Sequence, residues 1–444
     1  MRRPSVIKPS GFLKLLPSLL MDPLPALLDL TRNRGDVINF HLGKTQKLIL
    51  VNDPAVIRHI LKNNNENYKR SKAIAPLRSL LGNGIFMSED VLWQKMQTLL
   101  KPAFYEEQVK HYHLVVRHET EVLLQQWKIS SERNSPVNVE QELHILMLKI
   151  LLKTLFLKNF QPDCHVILSS LYAVLKKADF RNQKLKYAEK KVRSFLGFKT
   201  DQSFPDINLV FLQDLSEGIV AAGEKEPELC GSILTILIKA MGEGIIDRKQ
   251  AKDEILNLIF AGFDTTAAGL TWTLKLLADH QDIQKKLRQE VLQHDGDAGN
   301  YSVNMDYTSM VIQEAMRLYP PVWSFLRVAE KDDCAAGYDI PAGSHILVCI
   351  YTLHRHRDLW ERPDDFYPEH FAKESAKGKA FVYIPFGHGK RMCIGKPMAM
   401  MEMQLILPAL ISRFRYEHAG SGKYKVVPGI IIKSSRPMMM WVRD

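Results

Sequence analysis

Apolar positions recur at three- and four-residue spacing through the middle of the chain, in Glu119 to Trp127, Glu140 to Leu157 and Cys164 to Leu175. That spacing gathers apolar side chains on one helix face, so the central chain is expected to be a set of amphipathic helices. Near both ends the pattern changes to the alternation of a strand. Val37 to Leu42 and Lys47 to Val51 flank Gly43 and Lys44 and predict a hairpin, and His345 to Leu353 and Tyr424 to Ile432 predict further strands. Asp53 and Pro54 supply a capping carboxylate and a fixed φ, which open a helix over Ala55 to Leu61. A second, longer helix is expected to start at Asp247, with Gln250 three residues on as its capping-box partner. The whole predicts a mainly α protein with a small β subdomain drawn from both ends of the chain. No repeat, low-complexity run or Pro/Gly-rich linker divides it, so residues 31–444 are read as one domain behind an N-terminal segment, 1–30. Phe180 to Phe211 is charged and weakly periodic, and reads either as a cover over a cavity or as an ordinary surface connection.

Composition narrows the class. Hydrophobic residues make up 46% and charged residues 25%, the proportions of a folded, water-soluble body. Lys and Arg outnumber Asp and Glu by 60 to 49, a formal charge of +11 that attracts an acidic partner or surface. No block of five basic residues and no aromatic-interleaved basic stripe is present, so nucleic acid is not the expected partner. Cys164, Cys230, Cys334, Cys349 and Cys393 form no CxxC pair and are odd in number, which fits neither a disulfide framework nor a zinc site and points to a reducing, cytoplasmic setting. The apolar stretch Phe12 to Leu30 is broken by Lys14, Pro17, Asp22, Pro23, Pro25 and Asp29. It falls short of the about 20 apolar residues a bilayer span needs and lacks a small-residue cleavage site. The expectation is a chain without a transmembrane anchor, whose N-terminal segment at most touches a membrane.

The most specific chemistry lies in Phe386-Gly387-His388-Gly389-Lys390-Arg391-Met392-Cys393-Ile394-Gly395. A thiolate needs backbone amides aimed at its sulfur, and Gly389 and Gly395 allow the tight turn and close approach this requires. Phe386 is placed to shield the sulfur, and Arg391 offers a fork of donors to a carboxylate. At this composition the five fixed positions of FxxGxRxCxG match by chance in roughly a few chains per hundred thousand.

On these residues the chain resembles the cytochrome P450 family from about residue 30 onward. Leu81-Gly82-Asn83-Gly84-Ile85-Phe86 and Leu99 to Phe104 are similar to its soluble bacterial fatty-acid-hydroxylase branch. The resemblance implies a single heme domain carrying heme b (iron protoporphyrin IX), with Cys393 as the axial ligand of the iron. It implies that Ala261-Gly262-Phe263-Asp264-Thr265-Thr266 lies in the long helix. There Gly262, which costs about 1 kcal/mol against alanine, makes a groove for dioxygen, and Asp264 and Thr265 form the catalytic acid–alcohol pair. Trp93 and Arg327 match positions that reach the heme propionates, as Arg391 would, and Gln97 stands where a basic residue is usual.

Glu314-Ala315-Met316-Arg317 places opposite charges on one helix face just before Pro320 and Pro321. In the family the matching pair is buried and locks the core that carries the cysteine loop. His370, in Phe366-Tyr367-Pro368-Glu369-His370-Phe371, replaces the usual Arg of that network, which implies a weaker, pH-sensitive lock. Ile85 to Met87, Phe260, Val322 to Phe325 and Met438 to Met440 match pocket-lining positions; nearly all are apolar, so a hydrophobic substrate, a fatty acid or lipid first, is implied. The activity implied is insertion of one atom of dioxygen into a C–H or double bond. Since the sequence shows no flavin or iron–sulfur module, the electrons are expected from a ferredoxin- or flavodoxin-type donor docking near Lys95, Lys101 and Lys390. A heme-thiolate peroxygenase or isomerase, in which the acid–alcohol pair is altered, and a non-catalytic heme sensor are the alternatives.

Overall fold

A computed structural model describes residues 4–41, 47–71, 77–78, 81–178, 206–294, 305–373 and 378–444. The two strands of the expected N-terminal hairpin form where the alternation puts them: Val37–His41 pairs antiparallel with Lys47–Val51, Val37 opposite Val51. Their connecting turn at Gly43 and Lys44 lies outside the described residues. Pairing continues into a six-stranded sheet in the order Ser5–Ile7, Val37–His41, Lys47–Val51, His345–Cys349, Ser324–Ala329, Tyr68–Arg70. The two ends of the chain meet where Lys47–Val51 runs parallel to His345–Cys349.

Successive residues of these strands enter different cores, as a period of two requires. Ile49, Val51, Ile346 and Val348 pack with Val56, Ile57 and Ile60 on one face. Ile38, Phe40, Leu50 and Cys349 pack with Leu27 and Leu30 on the other. With both faces covered, the central strands read as continuous apolar runs. That explains one departure from expectation. The run His345 to Leu353 holds a strand only to Cys349 and then turns into the short helix Ile350–Leu353, because a uniformly apolar run does not distinguish a buried strand from a buried helix. Tyr424 to Ile432 is likewise two short strands, Val426–Pro428 and Ile432–Ser434, folded back across the turn that follows Pro428.

The helices follow the pattern more closely, at His113–Glu132, Val139–Leu151 and Cys164–Ala178. Asp53 caps the helix Pro54–Arg58 as expected, its Oδ1 accepting from the Ala55 amide at 2.7 Å. Of Phe180 to Phe211, only the end is described, where the helix Ile207–Lys225 begins; the choice between cover and connection lies outside the described residues.

The residues group into two compact units: Met1–Lys72, Val116–Leu143 and Thr265–Asp444 form the first, and Ala73–Val115 and His144–Asp264 the second. The first holds the sheet and the mutually packed helices Gln281–His294, Asp306–Leu318 and Lys396–Arg413. Lys396–Arg413 is apolar nearly all round, the mark of a core helix. In the second, Ile207–Lys225 packs on Cys164–Ala178 and on Ser232–Gly242. Among the described residues no helix is long and apolar enough to cross a membrane.

Candidate active site

In the first unit, Cys393 ends a loop that its own backbone closes. The Cys393 amide donates to the Phe386 carbonyl at 2.9 Å and the Met392 amide to that of Gly389 at 3.1 Å. Gly389 has φ +79°, and a β-carbon there would stand 2.0 Å from the Leu61 carbonyl oxygen, so no other residue fits. Cys393 is solvent-accessible, yet enough protein surrounds its sulfur that burial raises the thiol pKa; the amides of Gly395 and Lys396 and the Lys396 charge oppose that rise. Cys349 also has backbone amides at its sulfur, but it is sealed in the core, and Cys164 and Cys230 are buried too. Cys334 is exposed on a two-stranded hairpin. Cys393 alone of the five joins access to amide donors.

The Glu314–Arg317 pair is fully buried, as the resemblance implies, and bidentate: Arg317 Nη2 and Nε donate to the two Glu314 oxygens at 2.7 and 2.8 Å. The remaining donors of Arg317 go to the carbonyls of His354 and Pro363, both at 2.7 Å, and Asp365, at 2.8 Å, so all of its N–H groups are used. Burial works against the Glu314 charge, but Arg317 and His370 together hold its carboxyl below the usual range. His370 Nδ1 stands 3.2 Å from both Glu314 oxygens, and the Tyr367 amide donates to Oε1 at 2.9 Å. The imidazole therefore occupies the third place in the network.

Sequence reasoning missed His354. Burial, then the Arg317 charge, push its pKa down to about 3, so it stays neutral. Its Nε2 accepts from the Ile384 amide at 2.9 Å, which leaves Nδ1 to donate to the Arg317 carbonyl at 3.2 Å. Through it the ion pair is coupled to the residue two places before Phe386. Within His354-Arg355-His356-Arg357 nothing marks one imidazole as core.

The long helix runs from Arg248 to Asp279. Asp247 caps it, accepting from the Gln250 amide at 2.7 Å, but the reciprocal arm of the expected capping box is replaced: Gln250 Nε2 donates to the Asn83 carbonyl and to Glu254. The next turns bind the loop that carries Phe86. Asp253, Glu254 and Asn257 accept from the amides of Asn83, Ile85 and Phe86 at 2.9, 2.9 and 3.1 Å, and Phe86 meets Phe260 edge-on at 5.7 Å. Further along, a β-carbon on Gly262 would lie 2.0 Å from Leu151 Cδ1, so close packing offsets part of the cost of this glycine. Asp264 is buried, with Oδ1 2.7 Å from Nε2 of His144, a residue sequence reasoning did not single out because its partner is 120 positions away. Phe263 and Tyr172 pack their rings around His144 at 5.9 and 5.8 Å. Thr265 is half-buried, and Thr266 is buried and hydrogen-bonded to Glu402.

Burial raises Glu402 to about 8, the Thr266 bond opposing it. A carboxyl whose folded pKa lies above its unfolded value, about 4.3, stabilises the fold fully below the latter and loses that contribution as pH rises through the former. The wild type is therefore expected to lose stability between about pH 4.3 and about pH 8, by at most about 5 kcal/mol from this group. Urea unfolding across that range measures it; Glu402→Gln should show the shallower dependence.

Of the remaining predicted residues, Trp93 is buried on the helix Asp90–Leu100 of the second unit. Arg391 lies in the turn Gly389–Arg391. Arg327 lies on Ser324–Ala329 directly opposite Arg70, which sequence reasoning also missed. The first unit thus holds Cys393, Phe386, Gly389, Arg391, Gly395, Arg327 and Thr265, and the second Trp93, Gly262 and Asp264.

The sequence profile of the cytochrome P450 family matches residues 12–440. The chain belongs to the cytochrome P450 family. Cytochrome P450 3A6 of Oryctolagus cuniculus is 27% identical to it over 84% of this chain and 77% of that protein. Cyclooctatin synthase of Streptomyces melanosporofaciens is 27% identical over 94% and 88%, and the chloroplastic carotene epsilon-monooxygenase of Arabidopsis thaliana 26% identical over 89% and 78%. The crystal structure of the cytochrome P450 CYP102L1 shares the fold, with a TM-score of 0.80 at 22% identity over 95% of this chain and 94% of that one.

Cytochromes P450 are heme b monooxygenases that use dioxygen, a hydrophobic substrate and a redox partner. The residues present fit that cofactor. Cys393 supplies an accessible soft ligand with amide donors, as thiolate ligation of iron requires. Arg70 and Arg327 stand in register on adjacent strands, and a guanidinium offers the forked donors that hold a carboxylate; a heme propionate is such a carboxylate.

Proposed function

We propose that this cytochrome P450 hydroxylates or epoxidises a hydrophobic small molecule, a long-chain fatty acid or similar lipid first, with electrons from a separate ferredoxin or flavodoxin. The observation that carries the monooxygenase reading is the accessible, amide-flanked Cys393 sulfur on a loop coupled to the saturated Glu314–Arg317 pair. Bound heme supplies the activation of dioxygen. Cys393 would hold its iron as thiolate, with the Gly395 and Lys396 amides tempering the sulfur charge and Phe386 shielding it; Arg327, Arg391 and Trp93 would hold the propionates. Gly262 would leave room for dioxygen, and Asp264 with Thr265 would hold and pass protons. Thr265→Ala is then expected to keep heme but to release more hydrogen peroxide per NADPH consumed. An unchanged ratio would remove Thr265 from the reaction. With labelled dioxygen and dodecanoic acid, one labelled oxygen should enter the product; turnover with hydrogen peroxide alone, undiminished by Thr265→Ala, would favour a peroxygenase. Heme binding with no turnover under either condition would favour a sensor.

The lipid reading rests on Ile85, Phe86 and Met87, whose loop backbone is satisfied by the long helix and whose side chains are apolar. A terpenoid or steroid is the second reading, favoured by relatives named for carotene and lithocholate. Spin-state titration of the heme with dodecanoic acid, lithocholic acid and a carotenoid separates them. The donor reading rests on the charge of +11. Lys390 already pairs with Glu66 at 2.9 Å, and Lys95 donates to the Ile245 carbonyl, so Lys101 is the better docking cation of the three. Electron transfer should slow as salt shortens the Debye length from about 10 Å at 0.1 M to about 3 Å at 1 M. A cytoplasmic location is proposed from the free state of all five cysteines.

A further inference from the structure

We infer that Glu254 and Asn257 are positioning residues for substrate: from one stripe of the long helix they fix the backbone of the loop that carries Ile85 and Phe86, and through it the place of the Phe86 ring. This rests on the proposed role of Phe86 as a wall of the substrate pocket. Phe86 itself is legible in the sequence; what holds it is not, because the helix that does so lies about 170 positions away.

Gln250, Asp253, Glu254 and Asn257 follow one another at i, i+3, i+4 and i+7, the spacing that puts side chains on one helix face. Five main-chain groups of the loop end on them. The amides of Asn83, Ile85 and Phe86 donate to Asp253, Glu254 and Asn257. The carbonyls of Leu81 and Asn83 accept from Asn257 Nδ2 at 2.6 Å and from Gln250 Nε2 at 3.2 Å. Loop and helix lie so close that a β-carbon on Gly84 would stand 2.4 Å from Asn257 Cγ.

Glu254 and Asn257 are the buried members of the stripe, 0% and 1% exposed. Glu254 spends its two oxygens on the Ile85 amide and on Gln250 Nε2, and Asn257 Nδ2 also donates to the Asp253 carbonyl at 2.7 Å. A shift of the loop along the helix would strand these polar atoms away from water, which holds the loop in a single register. The same stripe then turns apolar. Phe260, one turn past Asn257, meets the Phe86 ring edge-on at 5.7 Å. Gly262, the proposed room for dioxygen, follows Asn257 on the same helix after a rise of about 7.5 Å. The ring and the oxygen site are therefore set from one rigid element, which is what a fixed distance between them requires.

Glu254→Ala and Asn257→Ala each remove an acceptor, whereas Glu254→Gln retains an oxygen for the Ile85 amide; either alanine variant alone carries the test. In heme-loaded protein, hydrogen exchange at the Ile85 and Phe86 amides reports the clamp. The ratio of the Kd values of phenylimidazole and imidazole, read from the heme spectrum as each ligates the iron, reports the pocket. Each alanine variant should speed exchange at the amide it served and change the ratio severalfold, in the direction in which Phe86→Ala changes it. Glu254→Gln should keep the wild-type ratio. In a Phe86→Ala background the alanine substitutions should change the ratio no further, since the ring they position is gone; a general loosening of the fold would add to it instead. Unchanged exchange, a wild-type ratio in both alanine variants, or effects that add in full to that of Phe86→Ala would overturn the inference and leave Phe86 in the pocket. A Phe86→Ala protein with the wild-type ratio would remove the ring from the pocket, and the inference with it.

Discussion

A Glu314→Ala protein is expected to lose about 3–5 kcal/mol of folding stability, and with it the capacity to retain heme. The substitution strands a fully buried guanidinium whose Nε and one Nη2 donor lose their acceptors. It also releases His370 and the Tyr367 amide, which share the same carboxylate. The damage reaches the cysteine loop because Arg317 is bonded to the His354 carbonyl and His354 in turn to the Ile384 amide. A nearby exposed pair gives the contrast: Lys286 and Glu369 are 2.7 Å apart but half-open to water, so Glu369→Ala should cost no more than about 1 kcal/mol. Urea unfolding of both variants, with heme content per chain, is the check. Equal costs would show that the buried network does not hold the loop.

What the sequence disclosed was mostly local. The cysteine loop is legible because Gly389 has to adopt positive φ against the Leu61 carbonyl, a demand that only one residue type meets. The Glu314–Arg317 pair is legible as an i, i+3 spacing, but its burial is not, since the same four letters on a solvated helix form an ordinary surface pair. The partners that complete each group were hidden by distance along the chain. His144 meets Asp264 across 120 positions, and Arg70 meets Arg327 through strand register. His370 is legible as the third member of the network, but that its ring reaches both carboxylate oxygens is not. The strand ends failed where the pattern is uniformly apolar, as at Cys349, and where Pro428 interrupts the alternation.

The largest expected change in the heme itself comes from Cys393→His. Of the five cysteines, Cys393 alone combines an accessible sulfur with the amides of Gly395 and Lys396, so no other thiol is placed to take its role. An imidazole at the same position would hold the iron as a neutral donor and would push less electron density onto it than a thiolate. The substitution adds bulk to a loop closed by the Cys393 amide on the Phe386 carbonyl, so heme content is measured beside the spectrum to separate lost ligation from lost binding. The decisive measurement is the carbon-monoxide difference spectrum of the reduced protein. Wild type should show the red-shifted band of a thiolate-ligated heme, and a heme-loaded Cys393→His protein should lose it completely. An unchanged red-shifted band in the heme-loaded variant would contradict the assignment of Cys393 as the iron ligand.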